Sequence, residues 1–166
     1  MRNCTNTTVV YDATIISNLC KLRNCIKITN FYIVSNYNIF FNNIIRPYNV
    51  IEENVIIGDN VKIGNFNTIS QFTEIGNDCC IVNNSSIGAI PQDKKFGGED
   101  TKLIIGDRTI IREFVTLNRG TKATGETRIG EDVLIMAGVH VAHDCIIGNN
   151  VILVNLVALG GHVEID

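Results

Sequence analysis

The chain has 166 residues, with 14 Lys/Arg against 17 Asp/Glu and a formal net charge of −3 at pH 7. A single domain of this length buries a core of its own, and the slight acidity excludes general nucleic-acid binding. No apolar run is long enough for a signal peptide or a bilayer span, so no integral membrane segment is expected, and the six cysteines read as reduced, mostly buried thiols of a cytoplasmic protein.

Residues 1–32 form a poorly patterned N-terminal segment, in which Lys21 and Lys27 fall where later residues are aliphatic. From Ile33 the chain counts in sixes. Ile39, Ile45, Ile51, Ile57, Ile63, Ile69, Ile75, Ile81 and Ile87 follow without a miss, Asp93 and Glu99 interrupt, and the series resumes at Ile105, Ile111 and Leu117. It passes Ala123 and runs on through Ile129, Ile135, Val141, Ile147, Leu153, Leu159 and Ile165. Four residues later in each hexad comes a small or β-branched residue, such as Val55, Thr73, Cys79, Val115 or Val139. Glycine often follows the large aliphatic, as at Gly58, Gly76, Gly106 and Gly130.

A period of six matches neither an α-helix nor a simple alternating strand. It matches a chain that makes a short strand, turns by roughly 120° and repeats, so that three hexads close one triangular coil. The fold class expected over residues 33–166 is therefore all-β: a left-handed parallel β-helix of hexapeptide repeats, an exception to the usual right-handed crossover. Glycine and Asn60, Asn65, Asn77 and Asn149 are expected to serve its corners, where a positive φ is needed.

Residues 89–104, "AIPQDKKFGGEDTKLI", read as an excursion loop thrown out from a corner, and residues 118–128 as a second, weaker one. Arg108, Arg112 and Arg119 fit an anion-attracting face or simple solubility, and Lys94 reads as a solvated charge. The chain ends at Asp166 in mid-rhythm, which suggests a fragment of a longer protein.

"AGVHVAHDC" places His140 and His143 three residues apart, with Asp144 directly after the second. In an 18-residue coil Gly161 stacks on His143 and His162 on Asp144, so these residues share one neighbourhood on adjacent coils. Three readings fit that neighbourhood. The histidines are surface residues with no role; or they converge on a zinc ion across a subunit interface; or His143 is a general base oriented by Asp144, with the Gly161 N–H facing an oxyanion.

"IGAIPQDKKFGGEDT", "IGDRTIIREFVTLNRGT", "MAGVHVAHDCIIGNN" and "LGGHVEID", in this order and spacing, closely resemble the UDP-N-acetylglucosamine 3-O-acyltransferases that begin lipid A synthesis in Gram-negative bacteria. The resemblance covers about Val50 to Asp166 and does not reach residues 1–32. It implies a homotrimer with active sites between subunits, which moves a (3-hydroxy)acyl group from acyl carrier protein to the sugar 3-hydroxyl with no cofactor and no metal. It implies His143 as general base, Asp144 as its partner and the Gly161 amide as oxyanion donor. Asp93, Lys95, His140 and His162 would hold the UDP-sugar, with Gln92 and Asn118 as weaker members of the same pocket. Members of the family continue for several coils and a helical domain beyond the point matched by Asp166. The alternatives are a related N-acyltransferase or sugar acetyltransferase, and a truncated β-helix scaffold without catalysis.

Overall fold

A computed structural model describes residues 33–34, 38–39 and 42–166; the N-terminal segment read at 1–32 lies outside the described residues. The described residues form short parallel strands in three sheets, and no helix among them is long and apolar enough to cross a membrane. The first sheet stacks Ile33–Val34, Val50–Ile51, Thr68–Ile69, Ser86–Ala89, Thr116–Asn118, His140–Val141 and Ala158–Leu159. The second stacks Asn38–Ile39, Ile56–Ile57, Thr73–Ile75, Lys102–Ile105, Glu126–Ile129, Ile146–Ile147 and Glu164–Ile165. The third stacks Ile44–Ile45, Lys62–Ile63, Cys80–Ile81, Ile110–Ile111, Leu134–Ile135 and Ile152–Leu153. Successive strands in the chain go to successive sheets, which is the triangular coil expected from the six-residue period.

The period fills the prism. Ile51, Ile57, Ile63, Ile69, Ile81, Ile87, Ile105, Ile111, Leu117, Ile129 and Ile135 are fully buried, and Val55, Val61, Cys79, Val115, Val133 and Val139 pack between them. Burying a large aliphatic contributes about 1.5–3 kcal/mol, so the series of sixes is the main source of stability.

The corners differ from the sequence expectation in an instructive way. Positive φ recurs every six residues, but glycine rarely carries it: Asn60, Phe66, Phe72, Asp78, Phe114, Asp144, Leu156 and His162 do. Asn65, Asn77 and Asn149 have no positive φ. Their side chains instead bond between coils; Asn77 Oδ1 accepts from the Asp59 amide at 2.9 Å, and Asn149 Oδ1 from the Glu131 amide at 2.8 Å. The glycines are required by sterics. A Cβ on Gly76 would lie 2.7 Å from the Asp107 amide nitrogen, and one on Gly130 would lie 2.7 Å from the Gly148 carbonyl carbon. Successive coils touch backbone to backbone there, which leaves no room for a side chain.

The three edges of the prism have distinct characters. The edge after the second sheet is polar, with Asn60, Asp78, Arg108, Asp132 and Asn150 at its positive-φ positions. The edge after the third sheet is largely apolar, interrupted by Asn84 and Gly138: Tyr48 and Phe66 stack at 5.2 Å and 6° between planes, and Phe114 and Leu156 are 64% and 79% exposed. The edge after the first sheet carries both excursions, together with Phe72, Asp144 and His162.

Both excursions are tighter than the sequence suggests. Ala89 and Lys102–Ile105 still pair as strands, so the first loop runs from 90 to 101 and not over 89–104. Asn118 and Glu126–Arg128 likewise stay in the sheets, which confines the second to 119–125. The arginines part company as well. Arg108 and Arg112 are exposed and paired, to Glu131 and Asp132 and to Glu113, whereas Arg119 is buried.

Candidate active site

Asp144 is the buried centre of the cluster. At its corner position the carboxylate is covered by the second excursion, where Thr121 donates to it twice: the amide to Oδ1 at 2.8 Å and the hydroxyl to Oδ2 at 2.6 Å. Thr124 Oγ1 donates to Oδ1, and the Asp144 amide donates to Thr127 Oγ1 at 2.8 Å. Burial opposes ionisation of this carboxyl, but the Thr121 and Thr124 hydroxyls, the Thr121 amide and His143 together overcome it and hold it well below the usual carboxylate range. Thr121 and Thr124 are the residues sequence reading missed. Loop threonines are common, and only the fold shows that these converge on one aspartate.

His143 meets this carboxylate through Nδ1, 2.7 Å from Asp144 Oδ2. An ionised carboxylate only accepts, so Nδ1 carries a proton, and in the neutral ring this tautomer leaves the lone pair on Nε2. That side of the ring faces Gly161 on the next coil: a Cβ there would lie 2.8 Å from Nε2. Among the described residues none accepts the Gly161 N–H. His162 stands beside the pair, with Nε2 3.7 Å from Asp144 Oδ2 and its ring 5.3 Å from that of His143, edge to face. An imidazole base with a fixed tautomer beside an unengaged amide donor can take a proton and stabilise a developing oxyanion.

The other candidates are placed differently. His140, on the adjoining strand, is bonded through Nδ1 to Thr116 Oγ1 at 2.7 Å. The compact group of possible metal-binding atoms is His143, Asp144 and His162, within 4.8 Å of one another, so three imidazoles do not converge within one chain. Asn118 is buried under the first loop; its Nδ2 donates to the Ile90 carbonyl at 3.1 Å and its Oδ1 has no partner. Gln92, Asp93 and Lys95 lie on that loop, where Asp93 Oδ1 accepts from the Lys95 amide at 2.9 Å. No hydrogen bond among the described residues joins them to His143, Asp144 or His162, although all leave the same edge of the prism.

A family model described as bacterial transferase hexapeptide (six repeats) matches residues 36–71 and 126–165. An acyl-[acyl-carrier-protein]–UDP-N-acetylglucosamine O-acyltransferase of Herminiimonas arsenicoxydans is 55% identical over 92 residues, which is 55% of this chain and 35% of that protein. A protein of the same name from Janthinobacterium sp. (strain Marseille) is 59% identical over 83 residues, 49% of this chain and 32% of the relative. The solved UDP-N-acetylglucosamine acyltransferase of Bacteroides fragilis 9343 superposes with a TM-score of 0.79 at 47% identity, over 80% of this chain and 52% of that one.

The chain is similar to the UDP-N-acetylglucosamine O-acyltransferases and folds as a β-helix of hexapeptide repeats.

The Francisella novicida UDP-N-acetylglucosamine acyltransferase gives the same TM-score, 0.79, at 39% identity, over 81% of this chain and 50% of its own length. The likeness carries the left-handed sense of the coil expected from the hexads. The chain spans about a third of the curated acyltransferases it matches and about half of the solved ones.

Proposed function

We propose that this chain, at its full natural length, is the cytoplasmic acyltransferase that moves a (3-hydroxy)acyl group from acyl carrier protein to the 3-hydroxyl of UDP-N-acetylglucosamine, the first step of lipid A synthesis. The relatives' names support the reaction class. The observation that carries the mechanism is the His143–Asp144 contact at 2.7 Å, which leaves Nε2 free as a base.

In this mechanism Nε2 of His143 removes the proton of the sugar hydroxyl as its oxygen attacks the thioester carbonyl carbon. The carbonyl π electrons move onto oxygen, and the Gly161 N–H donates to that oxyanion. Collapse breaks the C–S bond, and the departing thiolate takes the proton back from Nε2. Asp144 stays ionised throughout and stabilises the imidazolium. His140, His162, Asp93, Lys95, Gln92 and Asn118 belong to the acceptor pocket in this reading, with no cofactor and no metal. A homotrimer is proposed because the loop of one protomer would then reach the histidines of its neighbour. The apolar edge, with Phe66, Phe114 and Leu156, and the outward Ile44, Ile110 and Ile152 of the third sheet supply surface for such packing.

Mass spectrometry of UDP-N-acetylglucosamine incubated with acyl carrier protein thioester tests the reading. The wild type should form the O-acyl sugar, chelators should leave the rate unchanged, and His143→Ala should lower kcat by about 10²–10⁴-fold. His143→Ala retaining more than about a tenth of kcat overturns His143 as the base.

A further inference from the structure

Arg119 follows directly on the strand Thr116–Asn118 and is only 3% exposed, yet no carboxylate of the described residues lies within ion-pair distance of it. Its Nε has no partner, and Nη1 makes one long bond, to the Gln71 carbonyl at 3.4 Å. What it has instead is two aromatic faces. The guanidinium lies 5.3 Å from the centre of the Phe72 ring and 5.5 Å from that of Phe96. Burying a cation costs stability unless something answers the charge, and attraction to ring faces grows as water is removed. A planar guanidinium engages two rings at once, as an ammonium or an aliphatic chain of similar length does less well.

The two rings belong to different parts of the molecule. Phe72 sits at a positive-φ position on the edge of the prism, one coil below the root of the first loop, and is fixed by the coils. Phe96 lies in the loop itself, and its amide closes a turn by donating to the Asp93 carbonyl at 3.0 Å. Asp93 and Lys95 are the residues displayed by that turn. The root of the loop is tied to the same place, because the Arg119 amide donates to the Ala89 carbonyl at 3.0 Å and Asn118 Nδ2 to that of Ile90.

We propose that Arg119 is a positioning residue: clamped between Phe72 of the prism and Phe96 of the loop, it fixes the turn that presents Asp93 and Lys95 to the UDP-sugar, a role that rests on the acyltransferase reading above. Arg119 touches no reacting atom. It acts by restricting where an otherwise exposed loop can stand.

The test compares Arg119→Met, Arg119→Lys and Phe96→Leu in the protein at its full natural length. Phe96→Leu removes one face of the clamp from the loop side and leaves the buried site intact, so it reports even if Arg119→Met folds poorly. Tryptic cleavage after Lys94 and Lys95, mapped by mass spectrometry, reads the open population of the loop without any assay of activity. In Arg119→Met and Phe96→Leu it should accelerate about tenfold, with KM for the UDP-sugar rising by a similar factor and kcat staying within about threefold. Arg119→Lys, which keeps a cation over the rings, should fall between. Unchanged cleavage in both Arg119→Met and Phe96→Leu overturns the clamp. Faster cleavage with an unchanged KM overturns the positioning role. A wild type that forms no acyl sugar counts against the acyltransferase reading alone, and the cleavage comparison still decides the clamp.

Discussion

Gly161 and the ring of His143 are in contact across adjacent coils: a Cβ on Gly161 would lie 2.6 Å from Cε1 and 2.8 Å from Nε2. The ring cannot simply swing clear, because Nδ1 is held by Asp144. In the proposed mechanism Gly161→Ala should therefore displace the imidazole and lower kcat by about 10²-fold, the cost of misplacing a general base by about an ångström. Gly161 is exposed, so the melting temperature should move little. A fully active Gly161→Ala enzyme would show that the contact has no part in catalysis.

Asp144 carries a pH dependence with a definite sign. Its folded pKa lies below the ordinary carboxylate value, so the stability it contributes is present above about pH 4 and is lost as pH falls through the folded value. Asp144→Asn removes charge-assisted bonds from Thr121 and Thr124 and should destabilise the protein at pH 7 by about 1.5–3 kcal/mol in denaturant titration. The gap from wild type should narrow when the titration is repeated near pH 3. The same variant should lose less activity than His143→Ala, since the imidazole remains. An equal gap at both pH values refutes the ionised-carboxylate account.

Cys79 sets a limit at the alkaline end. Burial in the prism pushes its thiol up from 9.0 to about 11. An unfolded chain releases this proton first, so stability should fall as pH rises from 9 towards 11, by on the order of 2–3 kcal/mol. Cys79→Val should flatten that part of the stability curve. Val61 and Val133 already fill the equivalent interior place on other coils, so the substitution should cost little at pH 7. Identical alkaline limbs in wild type and variant would exclude Cys79 as the cause.

Phe114 and Leu156 hold large exposed side chains at φ of 57° and 63°. For bulky L-residues this backbone region is unfavourable by roughly 1–2 kcal/mol, whereas asparagine tolerates it. The double variant Phe114→Asn, Leu156→Asn should keep or raise the melting temperature of the isolated prism. It should also raise the dissociation constant of the proposed trimer at least about tenfold, because apolar interface area is removed. Sedimentation equilibrium measures both proteins, and a monomeric wild type at micromolar concentration would refute the proposed interface.

The architecture was legible because the prism interior accepts one kind of residue at a fixed interval, and Ile51 to Ile87 supply it at every turn. The loop boundaries were less so. Ser86 pairs with Thr116 and Thr116 with His140, offsets of 30 and 24 where plain coils give 18. The excess residues are 12 and 6, both multiples of the repeat, so the count keeps phase through segments where no hexad forms. The positive-φ positions left no signature, since Asn, Asp, Phe, Arg, Leu and His all occupy them. His143, Asp144 and Gly161 could be brought together by counting in 18s. The Thr121 and Thr124 cradle and the burial of Arg119 could not, because both depend on how the loops fold back on the edge.

The glycine contacts between coils make the molecule behave like a ruled scale on which chain length is converted to angle. Eighteen residues separate Asp144 from His162 and return the chain to the same edge. Six residues added between them would leave every aliphatic on the prism axis and every ladder paired, but would deliver His162 to the polar edge, about a third of a turn away. Additions at 90–101 or 119–125 escape the scale, because those loops leave and rejoin the same edge. Length can therefore vary freely beside the site but only in whole turns beneath it.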